Sequence, residues 1–204
     1  MKNWTQLADG ENVLKTTDSL KKENFEVLVV ENGDEAKNKV LEIIPKGAEV
    51  MTASSKTLEQ TGLAKEINES GNYDSVKAKL MKMDRATQGR EMQKLGAAPE
   101  WVIGSIHAVS VDGHIYIASA TGSQLGAYVY GSAHVIWVVG TQKIVKDENE
   151  AMKRVYEYCL PKESERQMAL GSPTGSNVAK LLIINREFKP GRVTIIFVKK
   201  NLGV

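Results

Sequence analysis

Cysteine is almost absent. Cys159 is the only one in 204 residues, so no intrachain disulfide can form. No cysteine cluster is present to hold zinc or an iron–sulfur centre. That usage fits a reducing compartment, and a cytoplasmic location is expected. An excess of either charge is also lacking. Lys and Arg total 27 against 25 Asp and Glu, a formal net charge of +2. This excludes the basic footprint of a nucleic-acid or membrane-surface protein. The longest apolar runs are far too short to span a bilayer, so no membrane insertion is expected. The opening "MKNWTQLADG" has no apolar stretch of the signal-peptide kind. No GxSxG, HExxH, Walker A or dinucleotide GxGxxG fingerprint stands where its chemistry would need it.

What is present is an ordinary globular mix, 42% hydrophobic and 25% charged. The length suits one domain, taken as residues 1–204, with an N-terminal helix at about 3–22 packing on it. Gly10 interrupts that helix. "FEVLVV" reads as a strand. Asn32 and Glu35 form a capping box for a helix that Pro45 stops. "AEVMTA" is a second strand, and a helix follows from the hydroxyl residues of "SSKTLEQ". Residues 73–95 are mostly helical, with a break near Gln88–Gly89. "WVIGSIHAVSVDGHIYIAS" reads as a β-hairpin near 101–118, with Asp112–Gly113 as a two-residue turn. A short helix is expected from about Gln124. "HVIWVVG" is a buried strand. Asp147 and Glu150 cap a helix that Pro161 should end, and a short helix follows to Gly171. "KLLIINRE" and "GRVTIIFVKK" are the last strands. Helices alternating with continuous apolar strands predict an α/β fold. It would have a mostly parallel central sheet covered by helices on both faces.

In such sheets ligands sit beyond the carboxyl ends of the strands. Three loops there are small and hydroxyl- or glycine-rich. Ser54, Ser55, Lys56 and Thr57 form the first. Ser119, Thr121, Gly122, Ser123 and Gln124 form the second, and residues 171–177 the third. Glycine admits close backbone approach, and helix N-termini offer free N–H groups. A phosphate, a carboxylate or a CoA-like anion would suit such a cradle. The same residue types also serve as turn and cap formers.

The three histidines need geometry. With Asp112–Gly113 as the turn, Val111 faces His114, Val109 faces Tyr116, and His107 faces Ala118. His107 and His114 then share a face, about 13 Å apart along the ribbon at strand rise. Zinc needs nitrogens at about 2 Å, so no metal site is expected. His107 is a candidate proton carrier or hydrogen-bond donor. Lys143, after "VIWVVG", is a candidate cleft residue, though a solvated lysine would read the same way. Cys159 reads as a small core filler. The acids read mostly as caps and solvated faces.

The segments "TASSKTLEQTGL", "GSIHAVSVDGHIYIASATGSQLGAYVYGSAHVIWVVGTQKIVKD" and "KLLIINRE" resemble the LUD-domain family, which includes the lactate-utilization protein C group. The resemblance runs over nearly the whole chain. It implies the fold of the NagB, ribose-5-phosphate isomerase and CoA-transferase superfamily. Against the isomerases, Asp112 fits the turn, Thr121–Gly122–Ser123 the glycine-rich loop and Lys143 the strand-end lysine. "SSKT" takes the place of the early phosphate-binding loop. His107 stands where an acid belongs, Ala118 or Ile117 where a lysine belongs, and Tyr128 or a neighbour replaces a glutamate. The cradle is kept while the acid–base set is missing.

By that resemblance, the chain is expected to bind a small anionic ligand and to act with iron–sulfur partner proteins in L-lactate oxidation. The resemblance names no cofactor. The alternative is a stand-alone enzyme on a phosphorylated sugar, an acyl-CoA or a hydroxy acid, using Lys56, His107, Ser123 and Lys143. A homodimer through "YVYG" and "VIWVV" ranks last, because apolar strands are more often core than interface.

Overall fold

Capped helices and apolar strands alternate along the chain and sort into two sheets. The structure, a computed structural model, describes residues 2–204. Helix α1 (Gly10–Lys22) starts at Gly10 because the Asp9 carboxylate accepts from the Asn12 N–H. The expected interruption is therefore its first residue. Strand β1 (Glu26–Val30) leads to α2 (Gly33–Ile43), where Asn32 accepts from the Glu35 N–H as the sequence predicted. After β2 (Glu49–Thr52), the expected single helix is two, α3 (Lys56–Gln60) and α4 (Leu63–Glu69). Gly62, with φ of +71°, breaks them apart. Strand β3 (Asp74–Ser75), α5 (Val76–Leu80) and α6 (Arg85–Ala97) follow, with α6 kinked at Gln88.

Strand β4 (Trp101–Gly104) pairs in parallel with two neighbours in the main sheet, so it is not an arm of the hairpin. The hairpin is narrower, β5 (Ala108–Ser110) with β6 (Ile115–Ser119). Its register places Val109 opposite Ile115 and not opposite Tyr116. The turn closes wider than two residues, with the Ser110 N–H donating to the His114 carbonyl. Buried Ser110 adds hydrogen bonds to Asp112 and to the His114 main chain. That side-chain chemistry overrides the two-residue Asp–Gly preference. A π-helical turn spans Ala127–Gly131. Then come β7 (His134–Gly140), a 3₁₀ turn (Thr141–Lys143) and β8 (Ile144–Val145).

Helix α7 (Glu148–Lys153) does not end at Pro161. It passes through a π segment (Arg154–Cys159) into α8 (Leu160–Ala169), where Pro161 sits in the first turn. Proline lacks an N–H and crowds the preceding turn, and a π segment re-spaces the ladder just before it. Strands β9 (Lys180–Ile184) and β10 (Val193–Val198) complete the set.

The main sheet has six strands in the order β1-β10-β7-β4-β2-β3, every pair parallel. The second is β8-β5-β6-β9, mixed in direction. One face of the main sheet buries Val40, Leu58, Leu63 and Ile67 from α2, α3 and α4. The other buries Val13 and Leu20 from α1 together with Val109, Ile115 and Ile117 from the second sheet. Helices thus cover one face, while helices α1, α5 and α6 and the small sheet cover the other. Ile136 to Val139 of "VIWVV" lie in the centre of the main sheet with no accessible face, so that segment cannot serve as a dimer surface. No described helix is long and apolar enough to cross a membrane.

Candidate functional site

The carboxyl ends of three parallel neighbours, β2, β4 and β7, release their chains into one cavity of about 890 Å³. Parallel strands all present that end on the same side, which is why the sheet gathers loops distant in sequence. After β2 come Ser54, Ser55, Lys56 and Thr57. After β4 come Ser105 and His107, and after β7 comes Lys143; all line the cavity. From the second sheet, Ser119, Thr121, Ser123 and Gln124 join them, as do Gly175, Ser176 and Asn177 of the third loop. The three loops therefore meet.

Gly122 is the exception among the expected residues, because it does not line the cavity. Its φ is +81°, and a Cβ there would come within 2.7 Å of the Lys180 side chain. It shapes the turn. Ser119 also works within its own loop, accepting from the Gly122 N–H at 2.9 Å. Ser54 accepts from Lys77 Nζ at 2.9 Å.

Lys143 is only 3% exposed. Its ammonium donates to Thr57 Oγ1 at 3.3 Å, Ser105 Oγ at 3.1 Å and the Ile106 carbonyl at 3.1 Å. No carboxylate among the described residues pairs with it. Burial, reinforced by the nearby Arg154 guanidinium, lowers its pKa to about 7. Ser105 is fixed in turn by donating to the Val138 carbonyl at 2.7 Å.

His107 accepts from the Ala118 N–H through Nδ1 at 3.1 Å. Burial first, then the positive charges of Lys143 and Arg154, push its pKa down to about 4. The ring is neutral at physiological pH, with its proton on Nε2. In that state its Nε2–H is a hydrogen-bond donor.

Arg154 lies directly behind His107 and is fully buried. Its Nε donates to the His107 carbonyl at 2.9 Å and its Nη1 to the Trp4 carbonyl at 2.9 Å. Its Nη2 has no partner among the described residues. Tyr128 closes the floor. Its hydroxyl occupies the space that a side chain at Gly104 would fill, and burial raises its pKa, so it stays protonated. Helix α8 supplies the facing wall with Glu163, Arg166 and Gln167. Burial pushes the Glu163 carboxyl up, but hydrogen bonds from Arg166 and Gln167 outweigh it and the pKa falls.

The other two histidines lie elsewhere. His114 sits beside Asp112 at 3.6 Å. His134 begins β7, at the opposite end from the cavity, and stacks on Trp101 with ring centroids 4.0 Å apart. Cys159 is buried on the cavity wall, and burial raises its thiol pKa.

Sequence reasoning missed Ser105, Arg154 and the α8 wall. Arg154 had one readable signal: it interrupts the apolar stripe of Ala151, Val155 and Cys159. The acid–base pair on α8 had none, because an i,i+3 ion pair reads as a solvated face.

A model of the LUD domain matches residues 13–198. The chain belongs to the LUD-domain family. A comparison with curated proteins finds no match. Among solved structures, this LUD domain is similar to a DUF162 family protein from Deinococcus radiodurans, with a TM-score of 0.56 and 12% identity. That match covers 95% of this chain and 99% of the other. At this identity the likeness shows a shared fold. The cleft of this LUD domain therefore offers neutral hydroxyl and amide donors, a neutral imidazole and the buried amine of Lys143, with the Arg154 guanidinium buried behind them.

Proposed function

We propose that this LUD domain binds a small anionic ligand in the cleft and acts with iron–sulfur partner proteins in L-lactate oxidation. The observation that carries the binding half is the buried Lys143 amine on the cavity wall, with no carboxylate among the described residues paired to it and with the Arg154 guanidinium buried behind His107. An uncompensated buried charge is costly. A bound phosphate, carboxylate or CoA-like group would supply the missing charge. The hydroxyls of Ser55, Thr57 and Ser123 and the Nε2–H of His107 provide neutral donors for its oxygens.

The lactate half rests on the family resemblance and on electron counting. Oxidising a hydroxy acid to an oxo acid releases two electrons. A cluster needs several cysteine ligands, and this chain has one. The electrons would go to a partner protein in the cytoplasm, with this chain supplying the ligand site. A second reading, a stand-alone enzyme, is favoured by one observation: a cavity-lining amine whose pKa is near neutrality. It differs from the first in requiring turnover without a partner.

A thermal-shift panel of L-lactate, pyruvate, inorganic phosphate and coenzyme A tests the binding half. A ligand at 100 times its dissociation constant adds about 2.7 kcal/mol. That is a rise of roughly 5–10 °C for a chain of this size. The shift should shrink in Ser123→Ala and vanish in Lys143→Met. Absence of any shift across the panel would overturn the anion cleft. Lactate oxidation by the purified chain with a dye as electron acceptor, and with no partner protein, would favour the stand-alone reading.

A further inference from the structure

Lys143 is an unusual group to place in a cavity wall. It is a primary amine held among neutral acceptors, with no carboxylate among the described residues paired to it. Most lysines here are exposed, and several are tied to acids, as Lys39 is to Glu42 and Lys79 to Asp74. The fold also takes trouble over this one. The whole Thr141–Lys143 turn is buried. Gly140 has no room for a side chain against Gln142, Lys200 and Leu202. Gly203, with φ of +71°, crosses above the amine, and a Cβ there would overlap Thr57 Oγ1 and lie 3.1 Å from Lys143 Nζ. The segment is tied down by Gln142, which donates to the Leu202 carbonyl at 2.7 Å, and by Gln60, which accepts from the Gly203 N–H at 2.6 Å. The amine is held in one position, at the edge of the cavity that collects the hydroxyl loops.

We propose that Lys143 is a nucleophile that forms an imine with a carbonyl compound bearing an anionic group, such as a 2-oxo acid. The inference rests on the anion cleft argued above. The Nζ lone pair attacks the carbonyl carbon and forms a C–N bond, while the π pair of C=O moves to oxygen. A proton passes from nitrogen to that oxygen and gives a carbinolamine. The C–O bond then breaks, the nitrogen loses its second proton, and one water leaves. The balance is amine plus ketone giving imine plus water, with no oxidant or reductant. The Ser105 and Thr57 hydroxyls stand at Nζ to relay the protons. Protonation of the imine restores the positive charge, which then pairs with the ligand's own anionic group. Burial supports the chemistry as well. At neutral pH about half of an amine with pKa near 7 carries a lone pair, against roughly one part in several thousand for an ordinary lysine.

The test treats the whole chain at pH 7 with pyruvate and sodium cyanoborohydride, then maps the modified lysines by mass spectrometry. A parallel thermal-shift series uses L-lactate, which has the same carboxylate and no carbonyl. Lys143 should be labelled at least about tenfold faster than exposed Lys46, and inorganic phosphate should suppress labelling at Lys143 alone. Lys143→Arg keeps the charge and should lose the fast adduct. Because the wild-type map is decisive by itself, a variant that fails to fold does not weaken the test. A lactate-induced shift with no Lys143 adduct would overturn the imine and leave the anion cleft standing. No adduct and no shift from any anion would overturn both. Labelling spread evenly over the exposed lysines would overturn the imine.

Discussion

At the scale of the residue, Lys143 sets the electrostatics of the cleft, and its pH behaviour has a definite sign. The unfolded chain protonates this amine near 10.5, the folded protein at about 7. Between those values the unfolded chain holds a proton that the folded protein lacks. Stability should therefore rise with pH from about 7 to about 10.5, and the cost of the buried charge is fully present below 7. In Lys143→Met that rise should disappear, read as the difference between the two proteins' urea midpoints from pH 6.5 to 9.5. An anion prefers the protonated amine. Affinity should then fall about tenfold per pH unit above 7, with proton uptake on binding. Calorimetry in buffers of different ionisation enthalpy measures that uptake.

Gly104 is a second residue with a sharp expectation. Any side chain there meets the Tyr128 hydroxyl. Gly104→Ala should cost about 1–3 kcal/mol by overpacking. It should also change the fluorescence of Trp137, which Tyr128 meets edge-on at 5.4 Å. Unchanged fluorescence and stability would show that Tyr128 does not occupy the floor of the cavity.

At the scale of the element, the π-helical turn at Ala127–Gly131 is held by one buried side chain. Arg192 donates to the carbonyls of Ser132, Ala127 and Tyr128, and pairs with Glu187 at 2.8 Å. Arg192→Ala leaves those acceptors and a largely buried carboxylate without a partner, which should cost about 3–5 kcal/mol. Arg192→Lys should recover only part, because an ammonium cannot reproduce the planar fork. Chemical denaturation of the three proteins checks the ranking. The boundary of α7 was readable in advance for a comparable reason of locality: Asp147 accepts from the Glu150 N–H three residues on. Pro161 was not, because the compensating π segment depends on how Arg154 and Cys159 are buried by other elements.

At the scale of the whole molecule, β7 and β10 have neighbours on both edges and packing on both faces. Strand β9 is an edge strand with none of its five residues fully buried. Hydrogen exchange should therefore be slowest at Ile136–Val139 and Ile195–Phe197, and much faster across Ser172–Val178, which carries one cavity wall. Equal protection across these segments would contradict the layered core. Fast exchange in that wall would allow a ligand into a site whose key amine is almost wholly covered.

The amino-acid sequence by itself determined the class of fold. Apolar runs such as "HVIWVVG" and "VTIIFV" can only be satisfied with both faces covered, and the capped helices between them force parallel neighbours. It also marked the loops after β2 and β6, because small hydroxyl and glycine residues at a strand end carry a local meaning. The tertiary structure decided the rest. It moved Trp101–Gly104 from the hairpin into the main sheet and slipped the hairpin register by one. It carried His134 away from the cavity while bringing His107 to it. It buried Lys143 under residues 86 positions earlier and 60 positions later, Thr57 and Gly203. Local pattern reports what a segment can bury or cap. The protonation of an amine and the wall of a cleft depend on partners brought together only when the sheet closes.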